Sequence, residues 1–254
     1  MGAGHAHALY VHEHSPLHHA VPAAKVAAVL LFVAAVAVTP PRQAWAFGVY
    51  AVILAIALAV GRITPKFFFL RLAGILPFVL LALIVPFVGS GERVDLGWVS
   101  LSREGLWAAF GIAAKAVLGA GAAIVLVGTT EVPAVLRGLR DLKVPAVLVA
   151  IAGFMVRYLE LIAEELGRMR QAMTARGYEP RWLWQARPIA QAAGVTFVRA
   201  YERGERVHGA MLARGYDGEM PMLGHRSPTP AQWAAALAAP ALAAAVAVIA
   251  MVTA

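Results

Sequence analysis

No cysteine occurs anywhere in the 254 residues. That excludes disulfides, iron–sulfur ligation through thiolate and thiol catalysis, and it leaves the compartment open. Charge is also scarce. Asp, Glu, Lys and Arg make up 14% of the chain, whereas a soluble globular domain carries about a quarter. Acidic residues are the scarcer sign: 14 Asp and Glu face 22 Lys and Arg, a formal net charge of +8. A phosphate-binding loop of the form Gly-x4-Gly-Lys-Ser/Thr is missing, so the sequence offers no ATP site of that type. What fills the space is apolar. The hydrophobic fraction is 61% and the mean hydropathy is +0.71, values that favour an integral membrane protein.

Five stretches have almost no charge and approach the ~20 residues needed to cross a bilayer. They are Ala23 to Val38, Trp45 to Val60, Phe67 to Val88, Leu106 to Gly128 and Trp233 to Val252. The third contains Pro77 and Pro86, which membrane helices tolerate because neighbours re-satisfy the freed carbonyls. The fourth carries Lys115 in mid-span, a position that reads either as functional or as a buried or water-facing structural lysine. The N-terminus has His where a secretory signal carries Lys or Arg, so it reads as a tail and not as a signal peptide. The excess of basic residues fits loops held on the cytoplasmic side. A nucleic-acid face would need basic residues interleaved with aromatics on a soluble domain, so no nucleic-acid partner is expected.

Arg62, Lys66 and Arg71 crowd the second loop, while the first holds only Arg42. The positive-inside rule then expects the N-terminus, the second loop and the region from Glu131 to about Pro230 in the cytoplasm, with the C-terminus outside. The expected organisation is a His-rich cytoplasmic tail (1–22), a four-span region (23–130), a cytoplasmic helical region (131–230) and a last membrane helix (231–254). The fold class is all-α, an integral multi-pass protein of the inner, cytoplasmic membrane in contact with lipid.

The polar region reads as three helices. Pro133 opens a short one before Pro145. Pro145 occupies the first turn of a second, which runs to Gly177, and Pro188 opens a third, ended by Gly215. The second is apolar up to Tyr158. Beyond that it is amphipathic, with Leu159, Ile162, Leu166, Met169 and Met173 as its apolar stripe and Glu160, Glu164, Glu165, Arg168 and Arg170 mostly away from it. The third has a stripe of Val195, Val198, Tyr201, Val207 and Met211. Its Gly194, Gly204 and Gly209 weaken the helix or permit a close crossing.

A segment of thirteen residues occurs twice. Arg168 to Pro180 reads RMRQAMTARGYEP and Arg206 to Gly218 reads RVHGAMLARGYDG, at a constant offset of 38. Each copy sits at a helix C-terminus. Gly there supplies a left-handed cap, and Arg in the last turn favours the negative end of the helix dipole. Capping accounts for Ala-Arg-Gly. The shared Met, Tyr and acidic residue go beyond that reading, and two matching tips fit two matching grooves.

At these residues the chain resembles the transmembrane T component of energy-coupling factor (ECF) transporters, of the CbiQ branch. The motifs that carry the resemblance are Ala175-Arg176-Gly177 and Ala213-Arg214-Gly215. It extends to Ser15-Pro16-Leu17-His18, to Thr129-Thr130 with LRGLRDLKVP, and to FMVRYLELIAEELGRMRQA. It departs at Ala23-Ala24-Lys25, where the family has a Pro-Arg-x-Lys pattern.

The resemblance implies a non-catalytic subunit with no cofactor of its own. Two CbiO-like ABC-type ATPases bind ATP and Mg, and each receives one helix tip. A CbiM-like substrate-binding membrane subunit, with a small CbiN-like subunit, takes the cargo. Cobalt feeding cobalamin synthesis is the expected cargo; nickel, biotin or another vitamin is the alternative. His5, His7, His12 and His14, with His18 and His19, form either a weak metal-collecting tail or a tail with no defined geometry. Two readings from other classes stand beside these. A membrane-embedded enzyme would need paired acids or a His-carboxylate cluster, and a scaffold would bind soluble partners without transport.

Overall fold

The computed structural model describes residues 15–88, 93–95, 100–178, 182, 187–218 and 229–253. The His5, His7, His12 and His14 tail lies outside the described residues. The helices are α1 (Pro16–His19), α2 (Pro22–Val38), α3 (Ala44–Val60), α4 (Pro65–Leu72), α5 (Leu76–Ala82), α6 (Val85–Val88), α7 (Arg103–Thr129), α8 (Val132–Asp141), α9 (Ala146–Ala175), α10 (Arg187–Leu212) and α11 (Pro230–Val252). Among the described residues the fold is all-helical apart from a short antiparallel pair, β1 (Arg93–Asp95) and β2 (Ser100–Ser102), before α7.

Among the described residues, four stretches are long and apolar enough to cross a membrane: residues 65–87, α7, α9 and α11. α2 and α3 are apolar helices of 17 residues each, about 25 Å long at ~1.5 Å per residue, at the short end of what spans. The third predicted span is broken. A 3-10 turn at Ala73–Ile75 separates α4 from α5, and Pro77 opens α5. Proline lacks the N–H that would continue the ladder, so the break falls where the sequence places it.

The described residues divide into two compact units, one of 143–218 and the other of 15–142 with 229–253. α8, which sequence pattern groups with the polar helices, packs in the second unit against the start of α2. Gly138 makes this possible: a Cβ there would lie 2.8 Å from backbone atoms of Pro22 and Ala23.

The core of that unit is formed by α2, α3, α7 and α11 around Tyr50, which is fully buried. Phe32 and Phe47 meet its ring edge-on at 5.9 and 6.2 Å. Its hydroxyl shares a hydrogen bond of 2.8 Å with Thr39 Oγ1, which donates to the Ala35 carbonyl at 2.8 Å. The outward faces are apolar as well: Leu30, Leu31, Val52, Ile56, Phe69, Leu70 and Phe78 are all more than half exposed. A water-soluble surface does not carry such a density of large apolar groups, and a lipid-facing one does.

α2 and α7 run antiparallel, and each caps the other. The last carbonyls of a helix have no partner within it. Lys25, near the start of α2, donates to the carbonyl of Thr129, the last residue of α7, at 3.0 Å. Lys115 of α7 donates to the carbonyl of Ala37, in the last turn of α2, at 2.7 Å. Cations at helix C-termini also meet the favourable end of the dipole. Lys115 thus makes a structural contact within this helix pair.

Candidate coupling site

α9 and α10 cross within one unit, and their C-termini carry the two copies of the repeat. The copies have the same backbone. At the end of α9, the Gly177 N–H donates to the Thr174 carbonyl at 2.9 Å and the Tyr178 N–H to the Met173 carbonyl at 3.0 Å. After α10, Gly215 donates to Leu212 and Tyr216 to Met211, both at 3.0 Å. This pair of bonds, one spanning six residues and one nested inside it, is the Schellman motif. It needs a left-handed residue, and Gly177 (φ 76°) and Gly215 (φ 82°) supply it.

The motif also gives Met and Tyr a purpose that the sequence reading did not assign. They occupy the two positions whose side chains commonly meet across such a cap. Met173, Tyr178, Met211 and Tyr216 are all half-buried, while the Ala and Arg of each tip are exposed. Capping thus accounts for Met, Gly and Tyr. Ala175, Arg176, Ala213 and Arg214 remain on the surface, and neither arginine makes an ion pair with a described residue. Each tip therefore presents a small residue and a guanidinium fork, a chemistry suited to carboxylates or to carbonyls at a helix end.

The apolar stripe of α10 is only partly covered. Val195, Val198 and Tyr201 are 46%, 55% and 61% exposed, while Val207 and Met211 are half-buried. On α9, Leu159 and Leu166 are likewise exposed, while Ile162, Met169 and Met173 are half-buried. The face of α10 toward α9 holds Thr196, Arg199 and Arg203 instead. Glu165, placed by periodicity on the polar side, is buried here. Arg199 donates to Glu165 Oε1 at 2.8 Å, and Arg203 reaches Oε2 at 3.6 Å. The hydrogen bond from Arg199, helped by the charges of both arginines, holds the Glu165 carboxyl below its usual range. Thr196 Oγ1 donates to the Ala192 carbonyl at 2.9 Å and lies 3.6 Å from the Met169 sulfur. Gly194, Gly204 and Gly209 do not serve a close crossing, because a Cβ at each would meet open space.

The spanning unit supplies little chemistry. An apolar cavity of about 620 Å³ between α2, α3, α7 and α11 has Lys25 and Gln232 as its long polar side chains, and Lys25 is engaged with Thr129. No group of three metal-ligating side chains occurs among the described residues. Ser15, at the start of the Ser-Pro-Leu-His motif, is buried and hydrogen-bonded to His18 Nδ1 at 2.7 Å.

Long apolar helices with large apolar groups on their outward faces, together with two helices that end in matching exposed Ala-Arg tips, define a helical membrane protein. Comparison with known proteins gives the family. The cobalt transport protein family CbiQ matches residues 13–223, and the chain belongs to it. A cobalt transport protein CbiQ of Rhodobacter capsulatus is 37% identical over 102 residues, 40% of this chain and 41% of that protein. Two uncharacterized proteins of Methanocaldococcus jannaschii are 32% identical over 84 residues and 28% identical over 127 residues. These cover 33% and 48% of this chain, and 31% and 42% of theirs. The matched segments thus span less than half the length of each of these relatives.

Proposed function

We propose that this chain is the energy-coupling T subunit of an ECF-type importer for cobalt. Two ABC-type ATPases, which bind ATP and Mg, each receive one helix tip. The chain passes their movement to a separate substrate-binding membrane subunit and catalyses nothing itself. The tips and the N-terminus lie on the cytoplasmic side of the inner membrane. Family membership supports the class. The observation that carries the two-ATPase reading is the duplicated tip: two helices end in the same cap and leave the same Ala-Arg pair exposed.

In this reading Arg176 and Arg214 each form charge-assisted hydrogen bonds in one ATPase groove. Such bonds are about twice as strong as neutral ones. The alanine beside each arginine lets the groove wall approach. Uptake of radioactive cobalt into cells carrying the whole transporter tests this. Arg176→Glu with Arg214→Glu reverses both contacts and should abolish uptake while the protein still inserts. Uptake at the wild-type rate by the double variant would refute the assignment. Uptake of nickel or a vitamin instead of cobalt by the wild type would keep the coupling role and change the cargo.

A further inference from the structure

Arg199 and Arg203, one turn apart on α10, close on the two carboxylate oxygens of Glu165, at 2.8 and 3.6 Å. The contacts run in opposite chain directions, with Glu165 on Arg199 and Arg203 and Met169 beside Thr196, so the helices are antiparallel where they cross. The two tips therefore lie on opposite sides of the crossing. Arg176 is eleven residues beyond Glu165, about 16 Å at ~1.5 Å per residue, and Arg214 is fifteen beyond Arg199, about 22 Å.

The rest of the contact is thin. Glu165 is the one buried residue in the amphipathic half of α9, and Thr196 the one buried residue of α10. Both are polar. An apolar seam would hold the helices along a line and tolerate sliding. A buried carboxylate gripped by two arginines fixes a point, because losing one partner leaves a buried charge uncompensated.

We infer that Glu165, held by Arg199 and Arg203, is a positioning residue that fixes where α9 and α10 cross, and with it the separation of the two tips. This rests on the coupling role proposed above. A rotation of α9 about the crossing moves its tip roughly 3 Å for each 10°. Two ATPases would then meet tips at a set spacing. The clamp sets the geometry and takes no part in binding the ATPases.

The test uses the full-length chain in lipid nanodiscs. Because the chain has no cysteine, Gln171→Cys and His208→Cys place spin labels at two defined exposed points on the two helices. Wild type should give one narrow distance distribution. Glu165→Gln, which keeps the shape and removes the charge, should broaden it or shift it by several ångströms. Arg199→Gln should do the same from the other helix. In the assembled transporter, Glu165→Gln should still retain the ATPases but move several-fold less cobalt per ATP hydrolysed. A distance distribution and a cobalt-to-ATP ratio both unchanged in Glu165→Gln and Arg199→Gln would overturn the inference. Failure of the wild type to retain any ATPase would instead refute the coupling role, and the label distances would still decide the clamp.

Discussion

Replacing Gly177 by Ala separates capping from recognition at the α9 tip. Gly177 sits at φ 76°, and a Cβ there meets no neighbouring atom, so packing does not oppose the change. The cost is conformational. A left-handed residue with a Cβ is unfavourable by roughly 1–2 kcal/mol. That energy falls on two bonds, Gly177 to Thr174 and Tyr178 to Met173, which close the last turn. A loss of about 1–2 kcal/mol corresponds to a factor of roughly 5–30 in local opening. Hydrogen exchange of the residue 177 and 178 amides should therefore quicken by that factor in Gly177→Ala. The amides in the middle of α9 should be unchanged. Gly215→Ala, at φ 82°, should do the same at residues 215 and 216. Arg176→Ala should leave these rates near wild type, because the Arg176 side chain makes no bond in the cap, and should instead weaken ATPase binding. Wild-type exchange in Gly177→Ala, or rapid exchange in Arg176→Ala, would refute this division of labour.

Three shorter predictions follow from other contacts. Gly138→Val drives side-chain atoms into the backbone of Pro22 and Ala23, and overpacking of this kind costs about 1–3 kcal/mol, so thermal unfolding should show a lower midpoint. Lys115→Met leaves the Ala37 carbonyl without its donor, and should cost about 1–3 kcal/mol in the same assay with ATPase retention intact. The Glu165 carboxyl is held low in the folded state. Its contribution is fully present above the unfolded carboxylate pKa of about 4.3 and is lost as the pH falls through the lower folded value. Label distances across the tips should therefore be constant from pH 8 to pH 5.5, and widening within that range would contradict the assigned ion pair.

What the sequence makes legible is local. Long charge-poor runs define the spans, and glycine after a periodic segment defines both helix ends. Pro77 and Pro86 lie where the third span breaks, although hydropathy alone reads it as one helix. The residues that escape sequence reading depend on partners far along the chain. Lys25 and Thr129 are 104 residues apart, and nothing near either announces the bond. α10 shows the limit most clearly. Its apolar period points to Val195, Val198 and Tyr201, yet the face turned to α9 carries Thr196 and Arg199. Periodicity finds the apolar side of a helix but not its neighbour. In a membrane-associated protein the apolar side is free to face something other than this chain. The repeat was visible at once, but the functions of its Met and Tyr needed the backbone bonds of the cap.

The central claim is that two equivalent tips serve two ATPases. Native mass measurement of the complex purified from its own membrane tests it most directly. The account predicts two ATP-hydrolysing subunits per copy of the wild-type chain, and none when Arg176→Glu and Arg214→Glu are combined. A wild-type complex without such subunits, or a double variant that still holds both, would contradict it.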